Sequence, residues 1–370
     1  MAEMTLKGET QMPIPSDIRN LRTRIRSAIQ HFASSGILAR SGILSRVVFM
    51  LDGGFRREVG GVVAGRRRYW EASNSDEETQ YRLRRNIHRL EKGLIQKDRR
   101  AVFALDYITD TVEGFERVLG GSAGEVREGS ELAWARDVLE EYFACTESSP
   151  QRDHALSRFQ PIMNRRLDQP PDEGMRLIPY HRNSAGDQPP ISYEDFLSLT
   201  LQRRSVRWFE QTPVPRELVD KALAAAAQSP SACNRQPFEF RIFDEPSEVR
   251  RVAQIPGGTV GYYENFPAVA VIVGDLGAFF SPRDRHVVYI DASLAAMTFM
   301  LALETLGLSS CPINWPDVTS SELQMREMLS LGEHQRVVML VAFGYPDPDG
   351  LVARSQKRPL EQLRRYNWHG

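Results

Sequence analysis

Hydrophobic positions change their period near the middle of the chain. Up to about residue 166 they recur at three- and four-residue steps, whereas beyond residue 192 alternating and continuous apolar runs appear between helical stretches. Leu83, Ile87, Leu90 and Leu94 fall on one helical face and predict an amphipathic helix in "YRLRRNIHRLEKGL", with Gly93 near its end. Ser75 and Glu78 stand before it in capping-box spacing. "SELAWARDVLEEYFA" predicts a second amphipathic helix. "GILARSGILSRVVFMLD" is too short and, with Arg40 and Arg46, too charged to span a membrane, so it reads as an amphipathic helix.

The second half alternates helix and strand. "PRELVDKALAAAAQ" predicts a helix stopped at Ser229-Pro230, and "PFEFRIFD" alternates like a strand. "PAVAVIVGD" is a continuous apolar run, which suits a strand covered on both faces, and "RVVMLVAFGYPD" predicts another. Between them "DASLAAMTFMLALETLGL" is apolar nearly all round and predicts a helix buried in the core or at a subunit interface. Two Pro-Pro pairs within Leu167 to Ser192 mark a linker. The expected organisation is a mainly helical region over 1–180 and an α+β domain over 181–370, a central mixed sheet flanked by helices.

Charge sharpens the first half. Residues 51–100 hold 13 Lys/Arg against 8 Asp/Glu, and residues 101–150 hold 3 against 11. Such blocks either face each other, meet a partner, or are two solvated faces. The net charge of −1 gives no pull toward nucleic acid or anionic membrane. Three widely spaced cysteines, Cys145, Cys233 and Cys311, form no disulfide framework, and the N-terminal stretch has no apolar signal core. Both point to a cytoplasmic protein without a membrane span.

Candidate chemistry sits in the second half. "QRRSVRWF" places Arg203, Arg204, Ser205 and Arg207 together, a set of guanidinium forks and a hydroxyl suited to phosphate, though a basic helix end has the same composition. In "SPSACNRQPFEF", Pro230 and Pro237 frame Ser231, Ala232, Asn234 and Gln236, whose amides match a heteroaromatic edge or, more plainly, cap the next strand. "GLSSCPINWPD" predicts a loop in which Pro312, Ile313 and Trp315 form an apolar wall beside Asn314. Lys357 and Arg358 end the series in a basic tail.

In order, Arg-Arg-Ser-x-Arg, Pro-Ser-x-x-Asn-x-Gln-Pro, the apolar helix ending Gly-Leu-x-Ser-Cys, Phe-Gly-Tyr-Pro-Asp and the basic Pro-Leu-Glu tail resemble the FMN-dependent nitroreductase family over residues 193–366. The resemblance implies FMN at the interface of an intertwined homodimer. Arg203, Arg204, Ser205, Arg207, Lys357 and Arg358 would hold its phosphate. Pro230, Ser231, Ala232, Asn234 and Gln236 would reach the flavin from the partner subunit, and Pro312, Ile313, Asn314 and Trp315 would lie near N5 of the ring. It also implies an NADH- or NADPH-driven, two-electron ping-pong reduction of a small oxidised organic substrate. The reverse chemistry, oxidation or desaturation of a biosynthetic substrate, and a flavin-binding interaction protein with little turnover are the alternatives.

"LRRNIHRLEKGL" with the apolar helix further resembles a subgroup bearing a long helical N-terminal extension, whose members often have Gly-Asn-Arg-Gly-Phe where this chain has "GGTVGYY". His88 and Glu91 lie one helical turn apart with Arg84 before them. They read as a polar cluster locking helices together, or as groups aimed into a flavin cavity or a subunit junction. Neither HExxH nor a second His-x-x-Glu accompanies them, so no metal is expected. P-loop and GxGxxG patterns are absent from the sequence as well.

Overall fold

The computed structural model describes residues 53–72, 81–121, 131–163, 176–181 and 190–367. The chain divides into two compact units, Met1–Val59 and Gly60–Gly370. The capping box at Ser75 and Glu78, the helix expected over 36–52 and most of the Pro-rich linker lie outside the described residues.

Helices account for the described part of the first half: α1 (Gly53–Ala72), α2 (Tyr81–Leu94), α3 (Ile108–Gly121), α4 (Glu131–Cys145) and α5 (Pro150–Met163). The predicted stripe of α2 is the buried one, with Leu83, Ile87, Leu90 and Leu94 all inside. They pack with Ile108, Val112 and Phe115 of α3, Val138, Leu139 and Tyr142 of α4, and Phe159 of α5 in one core. The opposite charge blocks do face each other: Arg82 pairs with Asp110, Arg84 with Glu131 at 2.8 Å and Arg89 with Asp106 at 3.4 Å. Such pairs add little stability each, about 0–1 kcal/mol, so the apolar stripe holds the helices and the charges set their register.

The second half is built on β1 (Phe238–Phe243), β2 (Ala268–Asp275), β3 (Ser309–Asn314) and β4 (Gln335–Gly344), in the order β1-β2-β4-β3. All three pairings are antiparallel. The expected mixed character reduces to one parallel bridge, Ser205 with Ser310, outside the named strands. Around the sheet lie α6 (Tyr193–Gln202), α7 (Arg216–Ala226), α8 (Pro246–Ala253), α9 (Val287–Thr305), α10 (Thr319–Leu329) and the short α11 (Leu360–Leu363).

Alternate side chains of β2 serve two cores. Val269, Val271 and Val273 pack with α8 and α10, whereas Ala268, Ala270 and Ile272 pack with α7 and α9. That double coverage explains the continuous apolar run. A register shift at Ile272/Val273 lets Val337 and Leu340 of β4 enter the same core despite their odd spacing. Gly274 allows α9 to close on the strand end, since a Cβ there would lie 2.3 Å from Cγ2 of Val288.

One expectation changes. Ser309–Asn314, read as a loop, is the edge strand β3. Its proline at 312 hides the strand pattern, but an edge strand tolerates proline because one side of its backbone needs no ladder donor. The apolar helix α9 is buried on one face only, through Ala292, Ala296, Phe299 and Leu303; Ile290, Leu294 and Met297 on the other remain exposed. Pro282–Thr305 is long and apolar enough to cross a membrane, yet its packed face makes α9 a core helix of the sheet.

Candidate functional site

The Arg-Arg-Ser motif follows the end of α6 and docks on the sheet edge. Val206 donates its N–H to the Ser310 carbonyl at 3.0 Å, beside the Ser205–Ser310 bridge. Arg207 lies 5.7 Å above the Tyr262 ring, and Arg204 bonds the carbonyl of Arg203 at 2.9 Å. Burial raises the Cys311 thiol, offset by the guanidinium groups of Arg207 and Arg203. Burial also raises the Glu304 carboxyl, which the Ser309 hydroxyl and Arg203 pull back down. Nε of Arg203 and Oγ of Ser310 are buried with no partner among the described residues. Two unsatisfied donors beside a cationic cluster are costly to leave empty, and an anion's oxygens would satisfy them.

The Pro230–Gln236 stretch forms the second corner. Cys233, Asn234 and Gln236 all take left-handed backbone angles, with φ of 55°, 49° and 50°. Such conformations cost non-glycine residues energy and persist where surroundings enforce them. Here the enforcement is visible. Ser231 Oγ accepts the Gln236 N–H at 2.9 Å, Gln236 Nε2 donates to Asn234 Oδ1 at 3.0 Å, and Asp291 of α9 accepts the Ala232 N–H at 2.9 Å. From the helical half, Arg84 Nε donates to the Asn234 carbonyl at 2.8 Å. Pro230 is exposed, and Ser231, Ala232, Asn234 and Gln236 are half-buried.

The remaining predicted residues divide. Pro312, Ile313 and Asn314 lie on β3, continuing from Ser310, with Ile313 buried, Pro312 half-buried and Asn314 exposed; Trp315 follows, buried, its indole N–H on Glu322. Pro312 lies two residues along β3 from the Ser205–Ser310 bridge, and Asn314 four residues, level with Met339 and Ile272 toward the other end of the sheet. Lys357 and Arg358 stand on an arm, residues 351–367, that is exposed throughout; Arg358 bonds Gln362 of the same arm. The structure docks the 203–207 group at the start of β3, runs the 312–315 group along and past that strand, and leaves the 230–236 loop elsewhere. The loop precedes β1 and the bridge sits at β3, so they occupy opposite edges of the sheet. They also sit at opposite ends of it: Phe238 is level with Gly274, and Ser310 through Phe343 with Ala268. Six residues along β2 and three strand spacings amount to roughly 20 Å by 14 Å.

His88 and Glu91 form the interhelical lock. His88 Nδ1 lies 3.2 Å from Glu91 Oε2, and Glu91 Oε1 accepts the Trp134 indole N–H at 3.0 Å, tying α2 to α4.

Sequence reading misses Asp291 and Arg235, and it places Arg84 only in the His88–Glu91 cluster, not on the Pro230–Gln236 loop. Asp291 is hidden in an apolar helix, where a lone acid is the available signal. Arg235 is buried, stacks 5.1 Å from the Phe279 ring centroid and holds the Ala232 carbonyl at 3.1 Å, with burial pulling its guanidinium below the usual range. A cavity of about 980 Å³ opens beside Gln236 and Phe238, lined also by Tyr81, Asp275 and His334. Tyr81 donates to Asp275 Oδ2 at 3.0 Å, and His334 Nε2 lies 3.8 Å from Oδ1.

Comparison with known proteins bears on the same region. Residues 200–263 and 263–345 match the model of the Nitroreductase family. A relative named NADH dehydrogenase, from Thermus thermophilus, is 28% identical over 200 residues, covering 46% of this chain and 94% of its own. Iodotyrosine deiodinase 1 of Homo sapiens is 22% identical over 224 residues, covering 52% of this chain and 75% of its own. Among solved structures, an FMN-dependent nitroreductase from Clostridium difficile is 25% identical and aligns with 46% of this chain and 99% of its own, at a TM-score of 0.40. The likeness to the Nitroreductase family thus falls on residues 200–345, the part of the chain that carries the sheet and most of its flanking helices.

Proposed function

We propose that the protein is an FMN-dependent oxidoreductase that takes electrons from NADH or NADPH and reduces a small oxidised organic substrate. The observation that carries this reading is the anion-ready corner within the family region: Arg203, Arg204, Ser205 and Arg207 around the buried, unpartnered Arg203 Nε and Ser310 Oγ. These residues fit a phosphate in charge and donor type. Bound FMN would supply a ring that accepts and returns two electrons. The chain's share is to neutralise the phosphate, to set Pro312–Trp315 as one wall, and to present backbone donors where negative charge gathers. Nicotinamide and substrate would take turns at one face, a ping-pong order.

The second half of such a site would come from a second copy. The Pro230–Gln236 loop lies too far from the Arg203 corner of its own chain for one mononucleotide to span. Among the described residues, exposed apolar surfaces include α6, which buries no residue and exposes Tyr193, Phe196 and Leu201; the outer face of α9; and the arm with Leu351, Leu360 and Tyr366. Surfaces of this kind mark protein interfaces. The arm also carries Lys357 and Arg358, which a swapped arm would bring to the partner's phosphate.

The relatives' names point to nicotinamide oxidation and to removal of iodine, so the acceptor is open within this reading. The test is the visible spectrum of the purified protein under nitrogen before and after NADH or NADPH. A flavin absorbance that bleaches within seconds is expected. A bound flavin that neither nicotinamide reduces would favour the reverse, substrate-oxidising reading, and a protein that refuses added FMN would overturn the proposal.

A further inference from the structure

The helical half outside the family match packs its helix α2 against the Pro230–Gln236 loop, and Arg84 hydrogen-bonds the loop directly. Arg84 of α2 donates through Nε to the Asn234 carbonyl at 2.8 Å and through NH1 to Glu131 Oε2 of α4 at 2.8 Å. Its guanidinium also lies 5.7 Å from the Trp134 ring centroid. The side chain is largely sheltered, at 15% exposure, so the bond to Asn234 is screened from water. Two neighbours on the same helix hold α2 to the family region: Tyr81 bonds Asp275, and Arg85 lies 4.9 Å from the Phe280 ring centroid. The accepting carbonyl belongs to the middle of the three left-handed, non-glycine residues, Cys233, Asn234 and Gln236.

We infer that Arg84 is a positioning residue through which the helical region holds the Pro230–Gln236 loop in its left-handed conformation, and so presets the half-site that meets the partner subunit's flavin. The loop's internal bonds, Ser231 to Gln236 and Gln236 to Asn234, close it on itself but do not place it. Placement comes from groups outside the loop: Asp291, an acceptor from the core helix, the Phe279 ring on which Arg235 stacks, and Arg84, a donor from the added helices. A planar guanidinium reaches Asn234 and Glu131 through two separate nitrogens, whereas an ammonium offers all its donors from one nitrogen on a flexible stem. The flavin part of this inference rests on the proposed function; the clamp itself does not.

The test compares wild type with Arg84→Ala, Arg84→Lys and the control Arg82→Ala, whose partner Asp110 lies away from the loop. Two quantities are read: trypsin cleavage after Arg235, followed by mass spectrometry, and the FMN dissociation constant from fluorescence quenching. Arg235 is 5% exposed, so cleavage there reports loop release. Arg84→Ala is expected to speed that cleavage and weaken FMN binding, each about tenfold. Arg84→Lys should fall between, and Arg82→Ala should match wild type. If Arg84→Ala does not fold, Arg84→Lys gives the same reading with a smaller shift. Unchanged cleavage in the Arg84 variants would overturn the clamp. Faster cleavage with unchanged FMN affinity would overturn its role in the flavin half-site. A wild type that binds no FMN, with cleavage still accelerated by Arg84→Ala, would remove the flavin reading and leave the clamp standing.

Discussion

Asp291 is a carboxylate on the buried face of α9, 3% exposed, where it accepts the Ala232 N–H at 2.9 Å. Burial raises its carboxyl above the ordinary range, and the Ala232 N–H and Arg235 pull it partly back. A carboxyl raised by folding favours the folded state at low pH, and that contribution is lost as pH rises through the folded value. Asp291→Asn keeps an acceptor for Ala232 and removes the buried charge. It should therefore raise the melting temperature at pH 7, with the gain shrinking toward pH 4; a melting temperature lowered equally at both pH values would contradict this. At this scale the sequence is half legible. Proline framing and amide-rich composition announce a special turn at Ser231–Gln236. The left-handed angles fall on Cys233, Asn234 and Gln236 rather than on glycine, and the partners that enforce them, Asp291 and Arg84, are distant in sequence. No local pattern records such a contact.

Elements read well where a period is unbroken and fail where one residue interrupts it. The stripe of α2 and the continuous run of β2 appear as their spacing predicts, because each buries a regular face. β3 escapes detection because Pro312 breaks its pattern, and an edge position makes that break affordable. The length of α1 that packs on the family region turns on Gly65. A Cβ at this position would come within 2.6 Å of the Leu276 carbonyl oxygen and 2.7 Å of its carbon, both backbone atoms that cannot swing aside. Gly65→Ala would improve helix propensity yet should destabilise the protein by about 1–3 kcal/mol, since the helix must move off the loop. Chemical denaturation would check it; a variant as stable as wild type would mean that α1 docks with slack to spare.

For the whole molecule, the decisive feature is the distance between the two halves of the candidate site. One chain carries the Arg203–Arg207 corner at the β3 edge and the Pro230–Gln236 loop at the diagonally opposite corner, before β1. The proposed two-fold pairing would give two sites, each with one corner from either chain, and would also cover α6, the outer face of α9 and the arm bearing Lys357 and Arg358. The measurement that tests this most directly is FMN content of a heterodimer. One chain carries Arg203→Ala with Ser205→Ala, the other Asn234→Ala with Gln236→Ala, and differently tagged copies are purified together. Each variant homodimer should bind no FMN, while the heterodimer should bind one per pair, because one site keeps both of its native corners. A folded heterodimer without FMN, or a 234/236 homodimer that keeps its full complement, would contradict a site shared between chains.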